Sequence, residues 1–284
     1  MPLGMVIGAL LCYPITAFDD MTGGISTPVF ISSMLFCTFC RVNVRDMRPS
    51  WLHLWLMVVQ IVGAMFFYYA LRPLGDTVAQ GGMICVLAPM AMGAVVIAGM
   101  LGAKIETMAT HSLICNIIIA FVAPPLLSAW GNGTCTVLEI LARVSPLLVG
   151  PFVVAQMCRW IVPKAAQWIG SRTMLPFYIW LFSLVVIVGK TTYFIIQNGV
   201  TEIYTECLLA LVALVACIAQ FSIGKWLGRH YGDRAAGGQA LGQKNTVLAV
   251  WLAQSFLNPL TYVAPTAYIV WQNIVNSYQL YKHR

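Results

Sequence analysis

Charge is scarce in this chain, and negative charge is the scarcer sign: 9 Asp and Glu stand against 16 Lys and Arg, and only 9% of the 284 residues are charged. A soluble domain carries roughly 25% charged residues. With 60% hydrophobic residues and a mean hydropathy of +0.83, the composition excludes an ordinary water-soluble fold and reads as an integral membrane protein. Enzyme signatures are also missing. There is no Walker loop, no dinucleotide fingerprint, no His-Glu-x-x-His and no Gly-x-Ser-x-Gly, so the chain does not read as an enzyme and implies no cofactor. The nine cysteines show no framework. Cys37-Thr-Phe-Cys40 has redox spacing but no βαβ context, so it, Cys85 and Cys115 read as small buried hydrophobes, and no metal site is expected.

What is present is a series of apolar runs of membrane-crossing length. Spans are expected near 3–17, 25–42, 51–71, 79–102, 106–129, 135–162, 174–196, 203–224, 236–257 and 259–280, an all-α integral membrane fold of about ten helices. The first run lacks the basic flank and small-residue cleavage site of a signal peptide and reads as a short span, with a start a few residues upstream as the alternative. Arg41, Arg45 and Arg48, then Lys104, then Arg159, Lys164 and Arg172, then Lys225, Arg229 and Arg234, then Lys282 and Arg284 fall on alternate connections. Asp19, Asp20, Asp76, Glu202 and Glu206 fall on the others, and Arg72, Arg143 and Lys190 depart from the pattern. The positive-inside rule then makes both termini cytoplasmic and accounts for the net charge of +7 without nucleic acid. Acidic lipid is the partner expected for those charges. Trp51, Trp55, Trp130, Trp160 and Trp168 near span ends fit interfacial anchoring.

Two spans are interrupted. Gly237-Gly-Gln-Ala-Leu-Gly-Gln-Lys-Asn-Thr246 is a polar, glycine-rich stretch around a lysine, and Pro89-Met-Ala-Met-Gly93 is a proline break about half a chain earlier. Non-helical backbone at membrane depth survives only where protein buries it or where it lines a cavity. Matched breaks of this kind are the mark of a transporter built from inverted repeats. The expected organisation is therefore two five-helix repeats, 1–132 and 133–284, meeting near Asn132.

Several of these residues carry a family resemblance. Gly242-Gln-Lys-Asn-Thr-Val-Leu-Ala249 resembles the Gly-x-Gln-Asn-Ser-Gly-Leu-Ala crossing motif of the bile acid:sodium symporter family. Val270-Trp-Gln-Asn-Ile-Val-Asn-Ser277 resembles its last helix, and Met34 to Asp46 its second-helix signature, while Gln60 falls where the third helix carries a glutamine. The resemblance implies ten helices in a panel and a core domain, two crossing broken helices, and transport of organic anions, usually with sodium. It also implies a multi-pass protein of a bacterial inner membrane. The departures are as informative. Pro89 to Val95 holds no hydroxyl or amide where the family has its Ser-Asn sodium ligands, Ala240 aligns with the family's glutamate, and Lys244 aligns with a glutamine. Sodium needs several hard oxygen ligands. The resemblance without them implies sodium-independent transport.

Candidate substrate or coupling-ion residues are Lys244, Gln243, Asn245, Thr246, Gln60, His111, Asn116 and Asn273, with broken-helix backbone at Pro89, Met90, Gly93 and Gly242. Lys244 would supply in place the charge that sodium supplies elsewhere, or release a proton during the cycle. The plainer readings are a structural cation or a side chain snorkelling toward Arg234. His111 relays a proton or, like Asn116, bonds across helices. Asn273 and Asn276, three apart, are equally compatible with packing. Lys190 reads as a snorkelling residue, Glu139 pairs with Arg143 one turn later, and salt bridging is the default for Lys104 and Glu106. The expected function is carriage of a small organic anion, bile acid-like or another carboxylate, by alternating access. A proton-coupled cation antiporter and a transport-dead sensor are the alternatives. Substrate identity, transport direction and oligomeric state are not legible in the sequence.

Overall fold

The computed structural model describes residues 2–40, 47–91, 93–131, 133, 135–172, 174–198 and 202–283, and they are almost wholly helical. Arg41, Arg45, Asp46, Met92, Asn132 and Arg284 lie outside the described residues. The helices are α1 (Pro2–Leu10), α2 (Cys12–Met21), α3 (Ser26–Phe39), α4 (Trp51–Leu71), α5 (Asp76–Leu87), α6 (Gly93–Met100) and α7 (Ile105–Trp130). They continue with α8 (Val137–Ile161), α9 (Pro163–Ser171), α10 (Leu175–Asn198), α11 (Ile203–His230), α12 (Arg234–Gly242), α13 (Thr246–Phe256) and α14 (Val263–His283). Four are long and apolar enough to cross a membrane, Trp51–Leu74, Ile105–Trp130, Val137–Ile161 and Ile203–His230, and five if the α2–α3 pair, bent by 87°, counts as one. Large apolar side chains such as Val62, Phe66, Leu211, Val215 and Ile218 stand exposed on these long helices. Lipid is the solvent that accepts such faces. The chain is an integral membrane protein.

Local chemistry explains where elements stop. Pro89 has no amide to donate and forces the residue before it out of the helical region, and Ala88 is accordingly extended at φ −49°, ψ 137°. Asp233 caps α12, its Oδ1 accepting from Ala236 N at 2.9 Å, while its Oδ2 accepts from Lys104 N at 2.9 Å. Ser50 N donates to His53 Nδ1 at 2.9 Å at the start of α4. That leaves the ring proton on Nε2, which donates to Thr107 O at 3.1 Å. Pro163 opens α9, a short helix where the sequence reading had only a connection.

The chain divides into two compact units. Unit 1 comprises Met1–Val42 and Ser145–Tyr204, and unit 2 comprises Asn43–Val144 and Thr205–Arg284. In unit 1, Asp19 is buried, pairs with Lys190 and accepts from Ser26 Oγ. Lys190 is thus tied down by a carboxylate on another helix and does not snorkel, the first correction to the sequence reading. Arg159 Nη1 donates to Cys40 O at 3.1 Å at the end of α3. Unit 2 is arranged around α5 and α12, in which Val78 to Leu87 and Ala236 to Gly242 are buried on every face. Helices buried all round lie inside a bundle.

The second correction concerns Gly237 and Gly238, which are helical residues of α12 and not part of the break. A Cβ on Gly224 would strike the Gly237 carbonyl, and one on Gly237 the Gly224 carbonyl. The glycines bring α11 and α12 into backbone contact, the small-residue packing that membrane helices use. Glu139 accepts from Thr136 N at 2.8 Å and from its hydroxyl at 3.0 Å, so its hydrogen bonds run to the helix start and not to Arg143. Among the described residues the one ion pair is Asp19 with Lys190, and Lys104 meets Asp233 through its backbone, not Glu106 through its side chain.

Candidate functional site: a backbone crossing around a buried lysine

The two broken spans of unit 2 meet at their breaks. Ala91 N donates to Gln243 O at 2.8 Å and Asn245 N donates to Pro89 O at 2.8 Å. Met90 and Lys244 are therefore paired as in an antiparallel ladder of one rung. Each break supplies partners for amides and carbonyls that the other leaves free. Asn245 then caps α13, its Oδ1 accepting from Leu248 N at 3.2 Å.

Further backbone groups are taken by side chains from three other helices. Gln60 on α4 donates through Nε2 to Leu87 O and Ala88 O, both at 2.9 Å. Gln220 on α11 donates to Cys85 O at 3.2 Å and to Tyr268 Oη at 3.1 Å. Tyr268 on α14 donates in turn to Gly242 O at 2.9 Å, and Gln272 Oε1 accepts from Lys244 N at 3.0 Å. Four carbonyls at the C-terminal ends of α5 and α12, where the helix dipole is negative, are thus occupied by neutral protein donors.

Other polar atoms here have no partner among the described residues. They include Lys244 Nζ, both ring nitrogens of His111, Asn116 Oδ1, Gln220 Oε1, Gln243 Oε1 and Asn245 Nδ2, on side chains buried to within 7% of full enclosure. Lys244 itself is 1% exposed. Its ammonium lies within electrostatic reach of Cys85, Cys115 and His111. No Asp or Glu occurs in 77–105 or 235–257, so neither break carries a counter-charge in its own sequence. Among the described residues, no group of three or more His, Cys, Asp and Glu could hold a metal ion.

The residues singled out from sequence fall into distinct places. Gln60 is a carbonyl cap. Thr246 is the buried first residue of α13, and Gly93 leaves room for the Gln243 amide, which a Cβ would meet at 3.3 Å. Gly242 lies against the Phe221 ring. His111 stacks on His53 with centroids 6.0 Å apart, and Asn116 Nδ2 donates to Ser112 O at 2.7 Å. Asn273 is half-buried and donates to Ile269 O at 2.7 Å, one turn back on its own helix. Its neighbour Gln272 is the one that reaches Lys244, while Asn276 is buried and accepts from Gln239 Nε2 at 2.9 Å. Gln220, Tyr268 and Gln272 were not anticipated. Their one sequence signal is polarity inside apolar helices, which does not separate a backbone cap from ordinary packing.

The sequence profile of the SBF-like CPA transporter family matches residues 25–273. The chain belongs to that family. It is accordingly a transporter of the cation and bile-acid type, and family membership points away from catalysis. No curated protein shows a significant match to the chain.

Proposed function

We propose that this SBF-like transporter carries a small organic anion by alternating access without sodium, using Lys244 as a fixed cation in place of a coupling ion. One observation carries the reading: a fully buried lysine Nζ without a hydrogen-bond partner among the described residues, at a crossing whose nearby carbonyls already hold protein donors. A metal cation would find those oxygens occupied and an ammonium among them. An anion would find a positive charge, the amide of Asn245 and the N-terminal end of α13. Burying an uncompensated charge is costly, so such a group persists where a ligand or a conformational step uses it.

Ten crossings in two inverted repeats, 1–132 and 133–284, are part of the same proposal. In support, Met1–Val42 and Ser145–Tyr204 belong to unit 1, and each is followed by a stretch of unit 2 that holds a broken helix. The basic loops support cytoplasmic termini, and the family resemblance supports a bacterial inner membrane. A cation antiporter lacks support from any carboxylate in the breaks.

The test is ligand-induced thermal stabilisation of the purified protein against a panel of organic anions in sodium and in potassium, with uptake into proteoliposomes for each anion that stabilises. A ligand raises the melting temperature by mass action. Equal stabilisation in both salts, accompanied by uptake and lost in Lys244→Gln, is the expected outcome. Stabilisation that requires sodium and survives in Lys244→Gln overturns the reading, and saturable binding without uptake converts the protein to a sensor.

A further inference from the structure

Unit 1 holds a recess that the transport reading does not use. It is an open recess of about 420 Å³ between α2 and α10, lined by Tyr13, Pro14, Thr16, Ala17, Asp20 and Tyr193, of which Tyr13, Pro14, Ala17 and Asp20 are exposed. A volume of roughly 300–1,000 Å³ is the range of small-ligand sites. Two of its walls are aromatic. Tyr13 and Tyr193 meet edge to face, centroids 5.4 Å apart and planes at 89°, so the two rings turn their faces in perpendicular directions. Ring faces are the negative side of the aromatic quadrupole and attract cations.

A third wall carries a full negative charge. The carboxylate of Asp20 has neither a hydrogen bond nor an ion pair with any described residue. Lys190 is the only Lys or Arg in α1, α2, α3 and α10, and it is already committed to Asp19. That pair cancels within itself, so the charge of Asp20 stays uncompensated at the recess. Thr16 Oγ1 donates its proton back to Cys12 O at 2.8 Å and keeps its lone pairs for a ligand. Pro14 and Ala17 supply apolar surface suited to methyl or methylene groups.

We propose that this recess binds an organic ammonium group, with Asp20 as the counter-ion and the Tyr13 and Tyr193 rings as the cation-π walls. The chemistry is shared by free ammonium solutes and by the choline or ethanolamine headgroups of lipids. Crossing and recess belong to separate units, so the proposal does not depend on what the crossing carries.

Choline is the probe, titrated calorimetrically into the full chain in a maltoside detergent, beside its uncharged isostere with carbon in place of nitrogen. Saturable choline binding, no binding of the isostere, and a loss of about tenfold or more in Asp20→Asn are expected, since the charge supplies most of the attraction. Asp20→Glu and Tyr13→Phe, which keep the charge and the ring, retain binding to within about threefold. These variants also guard against reading a folding defect as a binding loss. Repeating the titration in nanodiscs separates the sources. Binding that persists in phosphatidylglycerol but falls in phosphatidylcholine assigns the site to a lipid headgroup, and equal binding in both assigns it to a solute. Equal binding of the isostere, unchanged affinity in Asp20→Asn, or no saturable choline binding in maltoside and phosphatidylglycerol overturns the proposal.

Discussion

Replacing Lys244 by methionine separates what the lysine costs from what it does. Methionine fills nearly the same length and volume, so packing around the crossing is preserved. In the ligand-free protein the ammonium is buried without a partner among the described residues. A buried polar group left unsatisfied costs about 1–3 kcal/mol, and more when charged. Lys244→Met is therefore expected to stabilise the empty protein by about 1–3 kcal/mol. At an unfolding entropy of about 2.1 cal/mol/K per residue, a chain of this length shifts by about 2 °C per kcal/mol, so its melting temperature rises by about 2–5 °C. The same change removes a charge-assisted contact worth about 1.5–3 kcal/mol to a bound anion, weakening binding roughly tenfold to hundredfold. Thermal melts followed by tryptophan fluorescence read the first effect, and anion titration with proteoliposome uptake reads the second. A variant that melts several degrees below the wild type in the absence of ligand refutes the reasoning, because the ammonium is then held by partners in the resting state and acts as a structural cation.

Gln60→Leu strips the donors from Leu87 O and Ala88 O. It is expected to lower stability by about 2 kcal/mol or more and to make the melting temperature sodium-sensitive, since the freed carbonyls become available to a cation; melts in sodium and potassium check both. Asp19→Asn leaves Lys190 without its counter-charge and costs about 3–5 kcal/mol, the usual penalty for removing one partner of a buried pair. The double variant Asp19→Asn with Lys190→Gln recovers most of that loss, as a double-mutant cycle by thermal melting will show. Gly237→Val forces a side chain into the Gly224 backbone and is expected to abolish the monodisperse protein peak in size-exclusion chromatography, whereas an alanine at Gly150, where a Cβ meets nothing, leaves it intact.

Much of the architecture was legible because membrane helices advertise themselves as apolar runs, and Pro89 and Lys244 marked the two breaks almost to the residue. The errors share a physical origin. Gly237 and Gly238 look like helix breakers in isolation, but in lipid small residues are what permit helices to touch, and that role depends on Gly224 of another helix. Lys190 looked like a snorkelling residue because its partner, Asp19, is remote in sequence and joined only by the fold. Asn273 and Gln272 are adjacent amides, and composition cannot say which faces the crossing; the phase of α14 decides, and it turns Gln272 inward. The backbone caps Gln220 and Tyr268 were invisible for the same reason, since a cap is defined by the carbonyl it finds.

The pairing of Met90 with Lys244 also fixes how the site can vary. Gln243 is extended at φ −98°, ψ 100°, while Asn245 centres a tight turn in which Thr246 N donates to Lys244 O at 2.9 Å, so the lysine stands between an extended residue and a turn. Because the register is set by backbone bonds from Ala91 to Gln243 and from Asn245 to Pro89, the side chain at 243 can be exchanged without shifting the lysine, whereas that of Asn245 also caps α13. An insertion of one residue between Pro89 and Ala91 or between Gln243 and Asn245, by contrast, puts those two bonds out of register. The crossing thus tolerates new vocabulary at 243 but no change of reading frame.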